Sequence, residues 1–246
     1  MSIASPVPLA PPAPPPNPSD SAEPDARDVC ECLPWLEALD APECRTGSGV
    51  LGHAWEDLMR GGLRPLRETI TNDSVCLAAQ VVERPAGLSP DDAVLVANVL
   101  RGEPRKAIAV ELGIALSTAT ARFLRALAKL ELAERNVSLP VVLAAQSWAG
   151  VTRIPGARSA FFNYEGRRCF AISVPRPTTS HLTSLTRVEQ EIAQWLIEGL
   201  TRYEIAERRE TAVYTVAGQC HAVFAALRVT GRYELIRRAV DLRCFP

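Results

Sequence analysis

Two stretches of about 45 residues, 88–132 and 185–229, spell one pattern in one register. Laid over each other without a gap, they place Leu88 on Leu185, Gly102 on Gly199, Arg105 on Arg202, Ile108 on Ile205, Ala109 on Ala206, Thr118 on Thr215 and Leu130 on Leu227, always 97 residues apart. A repeat without insertions restricts the chain to folds built from two like units, and 246 residues allow two small ones.

Each copy reads as three helices. Ser89 is a good N-cap followed by Pro90 at the first helical position, where its missing N–H costs nothing. Its counterpart Thr186 has Glu189 three residues on, the pattern of a capping box. Leu95, Val96 and Val99 in one copy, and Ile192, Ala193 and Leu196 in the other, recur at helical spacing and mark a buried face. Gly102 and Gly199 end that helix, because glycine reaches the left-handed conformation that a C-terminus favours. A short second helix carries Ile108-Ala109 or Ile205-Ala206, a tight turn follows at Leu112-Gly113-Ile114, and a third helix is predicted from about Ser117 to Lys129. Two short helices, a glycine-bearing turn and a longer helix make a helix-turn-helix pattern.

The run Leu88-Ser89-Pro90, Gly102, Ile108-Ala109, Glu111-Leu112-Gly113-Ile114, Thr118 and Lys129-Leu130 resembles the DNA-binding domain of LuxR/NarL-type (GerE-like) transcription regulators. The second copy carries the resemblance through Leu185-Thr186, Glu189, Gly199-Leu200, residues 204–208, Thr215-Val216 and Leu227, and continues into residues 231–239, similar to the fourth helix by which those domains often dimerise. The resemblance implies a sequence-specific regulator that binds double-stranded DNA, with an internal pseudo-dimer or a homodimer as its assembly. The third helix would address the major groove. In the first copy that helix offers Ser117, Thr118, Thr120, Arg122 and Arg125, with Arg105 and Lys106 near the second helix for phosphates. In the second copy the candidates are Tyr214, Thr215, Gln219 and His221. The second copy departs from the family pattern: Glu210 stands at the turn glycine, Arg209 at an apolar position, and Ala217 where a basic residue is usual. The plainer reading of these polar residues, the solvated faces of amphipathic helices, stays open.

Charge tempers the expectation. The chain carries 27 basic and 28 acidic residues, so no global positive field draws it onto nucleic acid. Residues 88–132 hold six basic side chains against five acidic ones, and a module so balanced binds a phosphate backbone weakly by itself. A second reading therefore stands beside the first, an adaptor that binds RNA polymerase or another regulator through degenerate helix-turn-helix surfaces.

The remainder frames the two copies. Residues 1–27, dense in proline, read as a disordered tail. Residues from Val29 to about Leu63 turn helical around Trp35, Leu39, Leu51, Trp55 and Leu58, with a loop near residues 45–49 and a stop at Gly61-Gly62. Residues 66–82, broken at Asn72-Asp73, read as one β-hairpin; residues 160–164 and 168–174, joined around Glu165-Gly166, read as a clearer one. Residues 139–148 form a helix that is either the fourth of the first copy or a lead-in to the second. The expected architecture is mainly α: a disordered Pro-rich N-terminus and two tandem four-helix helix-turn-helix modules, each preceded by a small β-hairpin. The expected units are 28–137 and 138–246, with helix-turn-helix segments at 88–132 and 185–243.

No phosphate-cradling glycine loop, paired carboxylates or nucleophile elbow is evident, so no enzyme and no cofactor are expected. Seven cysteines at irregular spacing argue against a disulfide framework. Cys30, Cys32, Cys44 and His53 supply four potential zinc ligands, but Cys-x-Cys is not the usual knuckle spacing, and ordinary reduced cysteines are the preferred reading. Cys76 and Cys169 are expected to point into a core from strands, and Cys220 to sit at an apolar position of a helix. With no long apolar run, neither membrane span nor signal peptide is expected, and the location expected is the cytoplasm.

Overall fold

Strand-forming residues come in two blocks, and in the computed structural model the blocks meet. The structure describes residues 34–47, 49–83, 87–132, 137–148, 150 and 153–245. The first hairpin pairs β2 (Leu63–Ile70) with β3 (Ser74–Val81), and the second pairs β4 (Arg158–Tyr164) with β5 (Arg167–Pro175). The latter turns through Glu165 at φ 49° and Gly166 at φ 71°, the two left-handed residues of a hairpin turn whose twist suits the strands. β3 then pairs antiparallel with β5, from Ser74 opposite Pro175 to Gln80 opposite Cys169. A two-residue strand, β1 (Arg45–Thr46), adds to β4, giving one antiparallel sheet in the order β1-β4-β5-β3-β2.

The mainly α expectation, with two separate small hairpins, is therefore corrected: the molecule is mixed α/β. The physical reason lies in β3 and β5, where the residues from Ser74 to Ala79 and from Cys169 to Val174 are buried without alternation. A strand buried on both sides belongs inside a covered sheet, not in a free hairpin. β2 also begins earlier than expected, at Leu63, and absorbs Pro65 next to a bulge.

One face of the sheet is floored by small residues, Cys76, Ala78, Ala160 and Ala171, which let α1 (Pro34–Asp40) approach with Trp35 and Leu39 buried. Arg158 ties that helix down through an ion pair to Asp40 at 2.8 Å. The other face presents Leu77, Ala79, Phe170 and Ile172 to α2 (Gly49–Met59) and α6 (Leu139–Trp148). Every residue of α6 from Leu139 to Gln146 is buried, as expected of a helix apolar all round.

Beyond α6 lie two three-helix sets. The first is α3 (Pro90–Leu100), α4 (Arg105–Glu111) and α5 (Leu116–Lys129); the second is α7 (Arg187–Glu198), α8 (Arg202–Arg208) and α9 (Val213–Leu227), followed by α10 (Arg232–Asp241). Within each set the outer helices pack on the third, α6 packs on α3, α10 packs on α7 and α9, and α6 and α10 touch each other. The sequence left two roles open for α6; it takes the place beside α3 and also packs on the sheet. The sets are locked by buried polar contacts. Gln146 Nε2 donates to the carbonyls of Leu100 and Tyr233, each at 3.1 Å. Arg232 donates to Leu196 and Val137 carbonyls at 2.8 and 2.6 Å and to Ile197 at 3.1 Å. Gly102 sits so close to α10 that an added Cβ would lie 2.9 Å from Glu234 Cα.

Cys76, Cys169 and Cys220 are buried, as their positions on strands and helix predict. The Pro-rich tail, Cys30 and Cys32 lie outside the described residues.

Candidate nucleic-acid interface

The backbone of the two sets repeats through the turn that orients the third helix. In the first, Gly113 takes φ +63° between α4 and α5; in the second, Glu210 occupies the same register at φ 50°. The conformation that favours glycine is thus kept by a glutamate, at a cost in strain. The glycines that end the first helix of each set, Gly102 and Gly199, lie at φ +90° and +106°.

The start of α5 has no side-chain cap, since Ala115 stands at the N-cap. Ser117 and Thr118 are exposed there, and Thr120 is half-buried. Arg122 is turned back to α3: its Nη2 and Nε lie 2.8 and 2.9 Å from Asp92 Oδ1, while Asp92 Oδ2 accepts from the Ser89 hydroxyl at 2.8 Å. Burial alone pushes Asp92 up, but the hydrogen bonds from Ser89 and Arg122 and the charges of Arg122 and Arg125 outweigh it, holding the carboxyl below its ordinary value. Arg125 is exposed, and among the described residues it bonds only to the Ala121 carbonyl of its own helix, at 3.3 Å. Arg105 lies over the Phe123 ring, 4.8 Å from its centre, while Lys106 is exposed.

On α9, Tyr214 is 90% exposed, and Thr215 and His221 are also exposed. Gln219 holds the register of Arg122 and is likewise engaged inside its own set, accepting from Arg209 Nη1 at 2.8 Å. Arg209, at the register of Leu112, thereby buttresses the third helix instead of packing as an apolar residue. The structure thus brings Ser117, Thr118, Arg125 and Lys106 to the surface of one set and Tyr214, Thr215 and His221 to that of the other. It diverts Arg122, Arg105 and Gln219 into internal contacts.

Compared with family models, with curated proteins and with solved structures, the chain matches none.

Sequence reasoning missed an apolar patch around the same turn. Val110 is 74% exposed, Leu116 48% and Leu112 37%, and Tyr203 on α8 is 70% exposed at the register of Lys106. The signal was available in the alignment of the two copies, where Val110 and Leu112 meet Glu207 and Arg209. A position that accepts a charge in one copy is not a core position in the other. Among the described residues no group of three or more His, Cys, Asp or Glu side chains is placed to hold a metal ion, and no single helix is long and apolar enough to cross a membrane.

Proposed function

We propose that this chain is a sequence-specific, cytoplasmic transcription regulator that contacts double-stranded DNA through two tandem LuxR-type helix-turn-helix modules, residues 88–132 and 185–243. The observation that carries this reading is the left-handed turn recurring at Gly113 and Glu210, each leading into a helix whose exposed N-terminal threonine, Thr118 or Thr215, is at the same register. In a helix-turn-helix that end of the third helix enters the major groove. Pairing of β3 with β5 and the touch between α6 and α10 support an internal pseudo-dimer. Two half-sites about 34 Å apart, related only approximately by a dyad, are the matching DNA. The first module carries the base reading through Arg125, with Lys106 on a phosphate; the second adds affinity through its fixed linkage.

Binding of a randomised duplex pool and of the gene's own upstream region, read by fluorescence anisotropy, tests this. Saturable, salt-sensitive binding that prefers one sequence is expected, and Arg125→Ala should relax that preference and weaken binding by about tenfold or more. Retained affinity and base preference in that variant would sink base reading by α5.

A second reading, an adaptor for RNA polymerase or another regulator, is favoured by the exposed Val110, Leu112 and Leu116 around the same turn. It predicts no DNA binding even at low salt, and a partner complex that Leu112→Asp and Leu116→Asp abolish.

A further inference from the structure

α2 turns Gly49, Val50, His53, Ala54 and Asp57 toward the edge of the sheet, a stripe at helical spacing. Two of its members, Gly49 and Ala54, are small, and the strand residue across from them, Ser159, is small as well. Helix and strand therefore leave a cleft of about 400 Å³ between them. Ligand pockets run from about 300 to 1,000 Å³, so this one suits a compact molecule. Its aromatic wall is Phe161 and Phe170, whose ring centres are 5.1 Å apart at an interplanar angle of 57°. Phe161 remains 42% exposed although it shares a sheet face with the buried Phe170.

Polar groups converge on the same space. Arg45 is the ladder partner of Ser159, so the two side chains stand on one face of the sheet. His53 and Asp57 lie one turn apart on α2. Among the described residues, none of these four side chains makes a hydrogen bond or an ion pair, and Ser159 is only 4% exposed. Other clefts use their central polar groups internally. Arg176 is spent on Glu198, Arg64 on Glu131, Lys129 on the Gly87 carbonyl and Glu234 on Thr230. The apolar gap beneath α6, about 20 Å³, is too small for more than a water-sized guest.

From this we infer that the α2–β4 cleft is a small-molecule site for an aromatic zwitterion, of which a free aromatic α-amino acid is the simplest form. The Arg45 guanidinium takes a carboxylate through paired N–H donors, and the Asp57 carboxylate takes an ammonium. A simple anion would leave Asp57 opposed, and a simple cation would face Arg45. The ring lies against Phe170 and the part of Phe161 left beside Arg168, whose guanidinium sits 4.8 Å from the Phe161 ring centre; aromatic pairs gain beyond their buried area. Among the described residues His53, Asp57 and Ser159 do not hydrogen bond to one another, and the inference is one of binding. The elements involved lie outside both three-helix sets, and the inference stands apart from DNA binding.

The test is titration of the full chain with L-tryptophan, L-tyrosine and L-phenylalanine by calorimetry and ligand-observed NMR. Benzoate, phenethylamine and L-leucine each lack one of the three features and serve as controls. At least one aromatic amino acid should bind saturably at one site per chain, with the controls weaker by about tenfold or more. Arg45→Gln and Asp57→Asn, at an exposed and a half-buried position, should each cost about tenfold or more in affinity while leaving the melting temperature unchanged. Absence of saturable binding by all three amino acids overturns the assignment, as does affinity indifferent to both substitutions in variants that melt like the parent.

Discussion

The two three-helix sets follow one backbone plan and are secured by different means. In the second set the first two helices each carry a local cap, while Arg232 of α10 also holds the Leu196 and Ile197 carbonyls at the end of α7. Thr186 with Glu189 and Thr201 with Glu204 form capping boxes at the starts of α7 and α8, and the Thr201 backbone N–H on Glu204 holds that carboxyl below its ordinary value. In the first set Ser89 caps α3, but Pro104 stands at the N-cap of α4, which has no side-chain cap. There the neighbours contribute as well: Gly102 is wedged on Glu234, Leu100 accepts from Gln146, and Lys129 reaches the Gly87 carbonyl. Short helices are marginal alone, and either caps or packing can supply what is missing. A repeated sequence therefore fixes a shared shape without fixing a shared source of stability.

The largest effect separating the sets is expected at their glycines. Gly102→Ala must place a Cβ 2.9 Å from backbone atoms of Glu234 while holding φ at +90°. Left-handed backbone costs an L-residue about 1–2 kcal/mol, and the clash adds about 1–3 kcal/mol. Gly199→Ala, at φ +106°, carries the same backbone cost of about 1–2 kcal/mol. Urea unfolding measures Gly102→Ala, and a loss no larger than that backbone part would mean that the contact of Gly102 with α10 contributes nothing.

A smaller effect is expected where the sets exchange residues at the turn. Gly113 and Glu210 share a register and a left-handed φ, and an added Cβ at Gly113 meets nothing within 4 Å. Gly113→Glu should thus cost about 1 kcal/mol and Glu210→Gly should gain up to about 1 kcal/mol, both from strain alone. Thermal melts of the two variants would sharpen the comparison. If Glu210→Gly destabilises, the glutamate makes a contact that its exposed position does not suggest.

Helices were legible because their signals are local. Ser89, Pro90, Thr186, Gly102, Gly199 and the Glu165-Gly166 turn each announced an end or a reversal by themselves, and each does that in the fold. The sheet was not, because its joining contact is between residues far apart in the chain. Only the pairing of Cys76 with Ser173 and its neighbours makes two hairpins into one sheet, and the unalternated burial of β3 read as a weak hairpin strand. The strand at Arg45–Thr46 fell in a predicted loop for the same reason: its conformation is set by β4. At the candidate interface, residue identity gave the exposed Thr118, Arg125, Tyr214 and Thr215. It did not give the partners of Arg122 and Gln219, which face Asp92 and Arg209 across their sets. A polar side chain on a helix shows its chemistry in the sequence, but which way it is spent depends on the helix packed beside it.

That last difference has a pH signature at Asp92, whose counterpart in the second set is Glu189. Asp92 binds Ser89 and Arg122 and has its carboxyl held below the ordinary 3.8, whereas Glu189 serves the Thr186 cap and, among the described residues, pairs with no arginine. A carboxyl with a depressed folded value stabilises the protein above its unfolded value, and that contribution is lost as pH falls through the folded one. Asp92→Asn should therefore lower stability at neutral pH. The side chain is 31% exposed, so solvent screening keeps the loss under about 1 kcal/mol. The gap to the parent should stay flat above about pH 5 and close at lower pH, as the parent's carboxyl becomes neutral too. Denaturant midpoints of Asp92→Asn and of the parent from about pH 2.5 to about pH 7, the range in which carboxylates titrate, decide the matter. A gap that does not change with pH at Asp92 would mean that Arg122 is not held by charge, and would return that arginine to the surface available for a partner.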